Sequence, residues 1–181
     1  MEGYNAVLDG NVAANNFGNT TTNTLCRAGL AACIANDFDI IEGLAELTTT
    51  FGGRPFTFFV DYARNSGADF PASSDLDTAY AAGFQYGRVS GARTWEIGYV
   101  HQKVEKDALY GQWVDSDFAN GQTDGEGGAI RFGYGFGRNF RVNGTYFMTE
   151  TNVDVPTTIA GVGSVTSRDY ERLQLDLNVS F

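Results

Sequence analysis

No stretch of this sequence approaches the roughly 18 consecutive apolar residues that a membrane-spanning helix needs. Helical periodicity is nearly absent too, so a bundle of amphipathic helices is excluded as the main architecture. Basic residues are scarce: 12 Lys and Arg stand against 22 Asp and Glu, a formal charge of -10. A nucleic-acid partner needs clustered Lys and Arg to meet phosphate, and is excluded on that ground. There is one histidine and there are two cysteines, too few for a His- or Cys-rich metal centre, so no cofactor and no metal is expected. Only 3 prolines occur, while glycine is abundant at 23 residues and aromatics make up 14%. Many Gly, Tyr and Phe with few Lys suits closely spaced strands edged by aromatic rings.

What is present is alternation with a period of two. From Leu173 the residues Leu173, Leu175, Leu177, Val179 and Phe181 point one way, and Gln174, Asp176, Asn178 and Ser180 the other. Successive side chains of a strand leave opposite faces, so this segment has one apolar and one polar wall. The same pattern recurs upstream. Phe140, Val142, Tyr146 and Met148 oppose Arg141, Asn143, Thr145 and Thr149, and Ile130, Phe132, Tyr134 and Phe136 oppose Arg131, Gly133 and Gly135. Trp95, Ile97 and Tyr99 form a further stripe, as do Tyr80 to Tyr86 and Phe56 to Tyr62. Weaker strands are predicted over Asp39 to Phe51 and around Tyr4 to Asn11, about eight in all.

The connections alternate in length. Short turns fall at Gly52-Gly53-Arg54, Ser90-Gly91-Ala92 and Gly137-Arg138-Asn139, and longer polar segments near 14–37, 66–76, 104–126 and 151–167. Strict long–short alternation is what an antiparallel up-and-down barrel crossing a membrane produces. Period-two patterning alone fits a soluble lipocalin-like barrel equally well, read inside out. Two features favour the membrane. Aromatics gather at strand ends beside the short turns (Phe51, Phe56, Tyr86, Trp95, Phe136, Phe140 and Phe181), as in an interfacial girdle, and charges sit at mid-strand on the polar face. The expected fold is therefore one all-β transmembrane barrel domain over residues 1–181.

A terminal strand of alternating hydrophobes ending in Phe, here Leu173, Leu175, Leu177, Val179 and Phe181, resembles the insertion signal of bacterial outer-membrane barrels. Thr94 to Tyr99, Asp115 to Phe118 and Asp169 to Leu177 are similar to the C-terminal region of Gram-negative porins. The resemblance covers about the last two-thirds. It implies a bacterial outer-membrane location and passive diffusion of small solutes or ions. It also implies a setting of outer-membrane lipids and lipopolysaccharide, handling by the barrel-assembly machinery, and a homo-oligomer as one assembly state. Porins of that family are longer, so the chain is expected to be either a small barrel or the C-terminal part of a larger one. No signal peptide is visible at Met1-Glu2-Gly3-Tyr4, which fits a mature form, an engineered start or a fragment. A closed structural or adhesive barrel working through its outer loops is the alternative function.

On the polar side Arg131, Arg141 and Arg172 should share one wall, with Glu42, Glu46, Asp61 and Glu96 across from them and Asp176 on the last strand. In an open lumen that separation makes a transverse field that sorts solutes by charge; in a closed barrel the same residues become a salt-bridged plug. Cys26 and Cys33 would pair in an oxidising compartment and pin a loop, with two unpaired thiols as the alternative. Asp115, Asp117, Asp124 and Glu126 lack the spacing of a calcium loop and read as a solvated acidic loop. His101 falls on the apolar side near the outer rim with no serine nucleophile in view, so no enzyme is expected.

Overall fold

The computed structural model describes residues 17–22, 33–69, 75–155, 157–159, 163–165 and 167–180. Its centre is a seven-stranded antiparallel meander: β3 (Ile40–Phe51), β4 (Arg54–Asn65), β5 (Thr78–Gly87), β6 (Trp95–Val104), β7 (Gly125–Gly135), β8 (Phe140–Thr151) and β11 (Arg168–Val179). Each strand pairs with its neighbour in this order, and two small hairpins decorate one end. These are β1 (Thr21–Thr22) with β2 (Cys33–Ile34), and β9 (Thr157–Ile159) with β10 (Gly163–Val165).

Turn chemistry puts the short connections at the opposite end from the hairpins. Gly52 and Gly53 join β3 to β4 with φ of 57° and 73°. Positive φ at both central residues is what a tight two-residue hairpin needs to match strand twist, and glycine meets it without strain. Segment 88–94 joins β5 to β6. Thr94 staples it: the Ser90 and Gly91 N–H groups donate to Thr94 Oγ1 at 3.0 and 3.1 Å, and that hydroxyl donates to the Gly91 carbonyl at 2.7 Å. The described parts of the connections 66–77, 105–124 and 152–167 lie at the other end, together with segments 17–22 and 33–39.

The sequence predicts about eight strands; the described sheet has seven. The strand expected around Tyr4 to Asn11 lies outside the described residues, as do Cys26 and Phe181. Among the described residues the sheet is open, with β3 paired only to β4 and β11 only to β8. Cys33 was expected in a strand-free loop and instead sits buried in β2 opposite Thr22. It is not a free thiol.

Cross-strand register carries one parity through the whole sheet. The rung Leu47–Phe58–Phe84–Tyr99–Ile130–Tyr146–Leu173 is apolar from edge to edge. The adjacent rung Thr48–Thr57–Gln85–Gly98–Arg131–Thr145–Gln174 is polar and faces the other way. The apolar face is bare: Leu173, Leu175 and Leu177 are 65%, 70% and 65% exposed, and Phe58, Phe84, Ile130 and Phe132 are exposed too. Buried apolar residues lie on the polar face instead, in two small clusters: Ala63, Ala79 and Val104 with Ala108, Phe118 and Ala119, and Val100, Ala129 and Phe147 with Phe59 and Ala81.

Candidate functional site

Register places all eight charged residues singled out in the sequence on the polar face. Glu42 and Glu46 come from β3, Asp61 from β4, Glu96 from β6, Arg131 from β7, Arg141 from β8, and Arg172 and Asp176 from β11. Strands β3 to β5 contribute three acids and no base to this face, and strands β7, β8 and β11 contribute the arginines. Glu96 departs from the expected arrangement. It does not stand across from the arginines but lines the same cavity of about 270 Å³ as Arg131, Arg141 and Asp176. The reason is local: β6 pairs directly with β7, and Glu96 Oε2 accepts from the Val89 N–H at 2.9 Å and from Gln85 Nε2 at 3.4 Å.

That bond folds the 88–94 connection back beneath the polar face. The Arg93 N–H donates to the Gly135 carbonyl at 2.7 Å, and the Gly135 N–H to the Thr94 carbonyl at 2.9 Å. A Cβ on Gly135 would collide with the Gly91 carbonyl, so glycine here is required by close approach of backbone.

The other end is roofed by segment 105–124, whose second half belongs to the stretch 115–126 that was expected to be a solvated acidic loop. It folds inward. Phe118 and Ala119 are 2% and 0% exposed and pack on Ala63, Ala79 and Val104 of the polar face. Asp117 Oδ1 then lies 2.6 Å from Arg172 Nη1, so the loop reaches from β6 to the last strand. Both side chains keep some solvent (42% for Arg172, 24% for Asp117), and the pair positions the loop more than it stabilises the fold. Ala108, Leu109, Tyr110, Val114, Phe118 and Ala119 were the available signal, because a fully solvated loop has no use for so many apolar groups.

A buried polar network holds the roof at its base. Asn19 Nδ2 donates to the Lys106 and Leu109 carbonyls at 2.9 and 2.8 Å, and its Oδ1 accepts from the Gly111 N–H at 2.7 Å. Asn65 Nδ2 donates to the Asp37 and Asp107 carbonyls at 3.0 and 2.8 Å, while its Oδ1 accepts from the Asp39 and Gly67 N–H groups. Amide side chains bond at both ends, which suits them to satisfying buried loop backbone. Asp124 is also buried, taking the Asp154 and Val155 N–H groups at 2.7 and 3.2 Å. Burial raises its pKa above the ordinary carboxylate value, although those bonds and Lys106 act in the opposite direction.

His101 lies on the apolar face at the hairpin end, with Nε2 3.4 Å from Glu126 Oε1 and its ring 6.2 Å from that of Tyr80. At the other end of that face Tyr86 meets Phe51 and Trp95 edge-on, and the Arg54 guanidinium lies 4.7 Å from the Trp95 ring centre.

Comparison with known proteins gives one family match, and it spans nearly the whole chain. The family described as putative porin matches residues 7–181. No curated protein matches, and no solved structure matches. With the family covering residues 7–181, this chain belongs to the putative porins.

Proposed function

We infer that the protein is an outer-membrane channel of the diffusion type, with the polar face as its lumen and the apolar face against lipid. The observation that carries the reading is the sheet's inverted amphipathicity. Soluble proteins bury their largest apolar surface, and a monomer rarely exposes more than a few hundred Å² in one patch. Here the bulky side chains of a seven-strand face stand bare, and the internal packing is confined to two small clusters on the opposite face. Along β8 the apolar positions run from Phe140 to Met148, roughly 26 Å of strand at ~3.3 Å per residue. Before allowing for tilt, that compares with a lipid-facing band about 25 Å tall in outer-membrane barrels.

Closure of the sheet is part of the proposal, because unpaired strand edges are not tolerated in hydrocarbon. Both β3 and β11 run away from the hairpin end, so they are parallel to each other and cannot pair antiparallel. An odd number of further strands must stand between them. Segment 17–22 lies at the hairpin end, so chain leading into it has the right direction to pair with the open edge of β3. The strand expected around Tyr4 to Asn11 is one supplier. The Cys26–Cys33 disulfide is likewise proposed, as a tie within the loop layer, and thiol counting with and without reductant would check it.

The lumen so formed has an acidic wall on β3 to β5, a basic wall on β7, β8 and β11, and a roof in segment 105–124. A transverse field of this kind orients dipolar solutes and favours small charged ones that match its walls. Planar-bilayer recording on the purified protein is the test: discrete ion-conducting steps are expected, and their absence under conditions that give inserted protein would overturn the reading. The loop-binding alternative predicts no conductance.

A further inference from the structure

The geometry points to a subsite for small organic cations with an apolar or aromatic body, set between the roof and the acidic wall. It rests on the channel reading and deepens it by naming a solute class. A cavity of about 220 Å³ lies where segment 105–124 crosses β3 to β6. Glu42, Asp61 and Asp115 line it, and no Lys or Arg does. Leu109, Trp113 and Val114 form its apolar side.

Three features of this cavity fit a cation better than water or an anion. Asp61 Oδ1 is buried and has no hydrogen-bond partner among the described residues, so one carboxylate oxygen is left to accept from a guest. A carboxylate in that state is costly, and an ammonium N–H supplies both the missing bond and the opposite charge. Trp113 is 70% exposed although it belongs to a segment that buries Phe118 completely. Tyr110 meets its ring edge-on with centroids 5.7 Å apart, which holds the indole in place as a platform for a cation or a flat apolar body. Leu44, opposite Asp61 in register, breaks the acidic pattern of β3 and is left bare on the polar face beside the cavity. Apolar groups flanking the Asp61 and Glu42 carboxylates match an amine whose other end is hydrocarbon. The cavity near Arg131 and Arg141 differs in that its carboxylates, Glu96 and Asp176, share it with two guanidinium groups.

Benzylammonium is the probe, with benzyl alcohol and benzenesulfonate as the neutral and anionic controls. Potassium chloride current through the full chain in a planar bilayer should fall saturably with benzylammonium and not with either control. Asp61→Asn should raise the half-blocking concentration about tenfold, the loss of one charge-assisted bond. Titration of tryptophan fluorescence in detergent reads the same site without requiring conductance, and Trp113→Leu should abolish the benzylammonium-dependent change while Trp95→Phe retains it. Conducting channels blocked equally by all three probes, or blocked by benzylammonium without sensitivity to Asp61→Asn, would overturn the subsite and leave the channel intact. Protein that does not conduct but shows the Trp113-dependent titration would retain the subsite and overturn the channel; no titration in either setting overturns the subsite.

Discussion

Ile130 and Arg131 are neighbours on β7 and live in opposite worlds. Ile130 belongs to a rung of Leu, Phe, Tyr and Ile with no roof over it; Arg131 faces a cavity shared with Glu96, Arg141 and Asp176. The difference between the two faces is less in how polar they are than in what packs on them. Phe118 with its neighbours above and the 88–94 connection below both fold onto the polar face. The Leu, Phe and Ile side chains of the apolar face stay open, and the chain meets that face at its charged rim, where Asp154 Oδ1 lies 2.8 Å from Lys103 Nζ. A sheet in water would place its loops the other way round, over the Leu and Phe side chains, since burying each would gain about 1.5–3 kcal/mol.

The sharpest way to break this comparison is to exchange character across one peptide bond. Ile130→Arg should cost about 2–4 kcal/mol of folding stability in a bilayer, the penalty for a cation at mid-depth on a lipid-facing strand. Urea-driven unfolding from vesicles would measure it. Asn65→Ala attacks the other face by removing the amide that holds the base of the roof, and about 1–3 kcal/mol is expected from the unmatched backbone groups. Limited proteolysis should then cut within 105–124 while the strands stay protected. Arg131→Gln should change stability by no more than about 0.5 kcal/mol, yet shift the reversal potential in a salt gradient towards cations. The smallest effect concerns pH. Asp124 has its pKa raised by burial, so the folded protein holds this proton more tightly than the unfolded chain does. The sign follows: loop closure gains as pH falls from neutral through the folded pKa, and the gain levels off once the unfolded carboxyl is protonated as well. Protease resistance of segment 105–124 should rise modestly on mild acidification, and Asp124→Asn should remove that dependence.

How much of this was legible in the sequence varies with the physics involved. The alternation of β11 could be read residue by residue, because Leu173 to Val179 keeps strict period two and the backbone geometry forces alternate faces. The Gly52-Gly53 hairpin was equally plain, since positive φ at two successive positions selects glycine. Strand β3 was faint for a reason now visible: Leu44 sits on the face of Glu42 and Glu46, so the period breaks in the middle. The roof was missed because docking through Ala108, Val114, Phe118 and Ala119 has no fixed spacing, and irregular chain carries no periodic signal. Glu96 was set on the wrong wall since a list of strands does not say that its carboxylate would be turned by the Val89 N–H towards β7.

The claim on which everything else depends is that the two faces of one strand meet two different solvents. Single cysteines at Ile130, Arg131, Phe132 and Gly133, introduced one at a time and exposed in intact vesicles to a charged, membrane-impermeant thiol reagent, would test it directly. Labelling at 131 and 133 with protection at 130 and 132 is the expected result. Uniform labelling, or the opposite alternation, would contradict the account and make the apolar face a water-exposed or protein-covered surface.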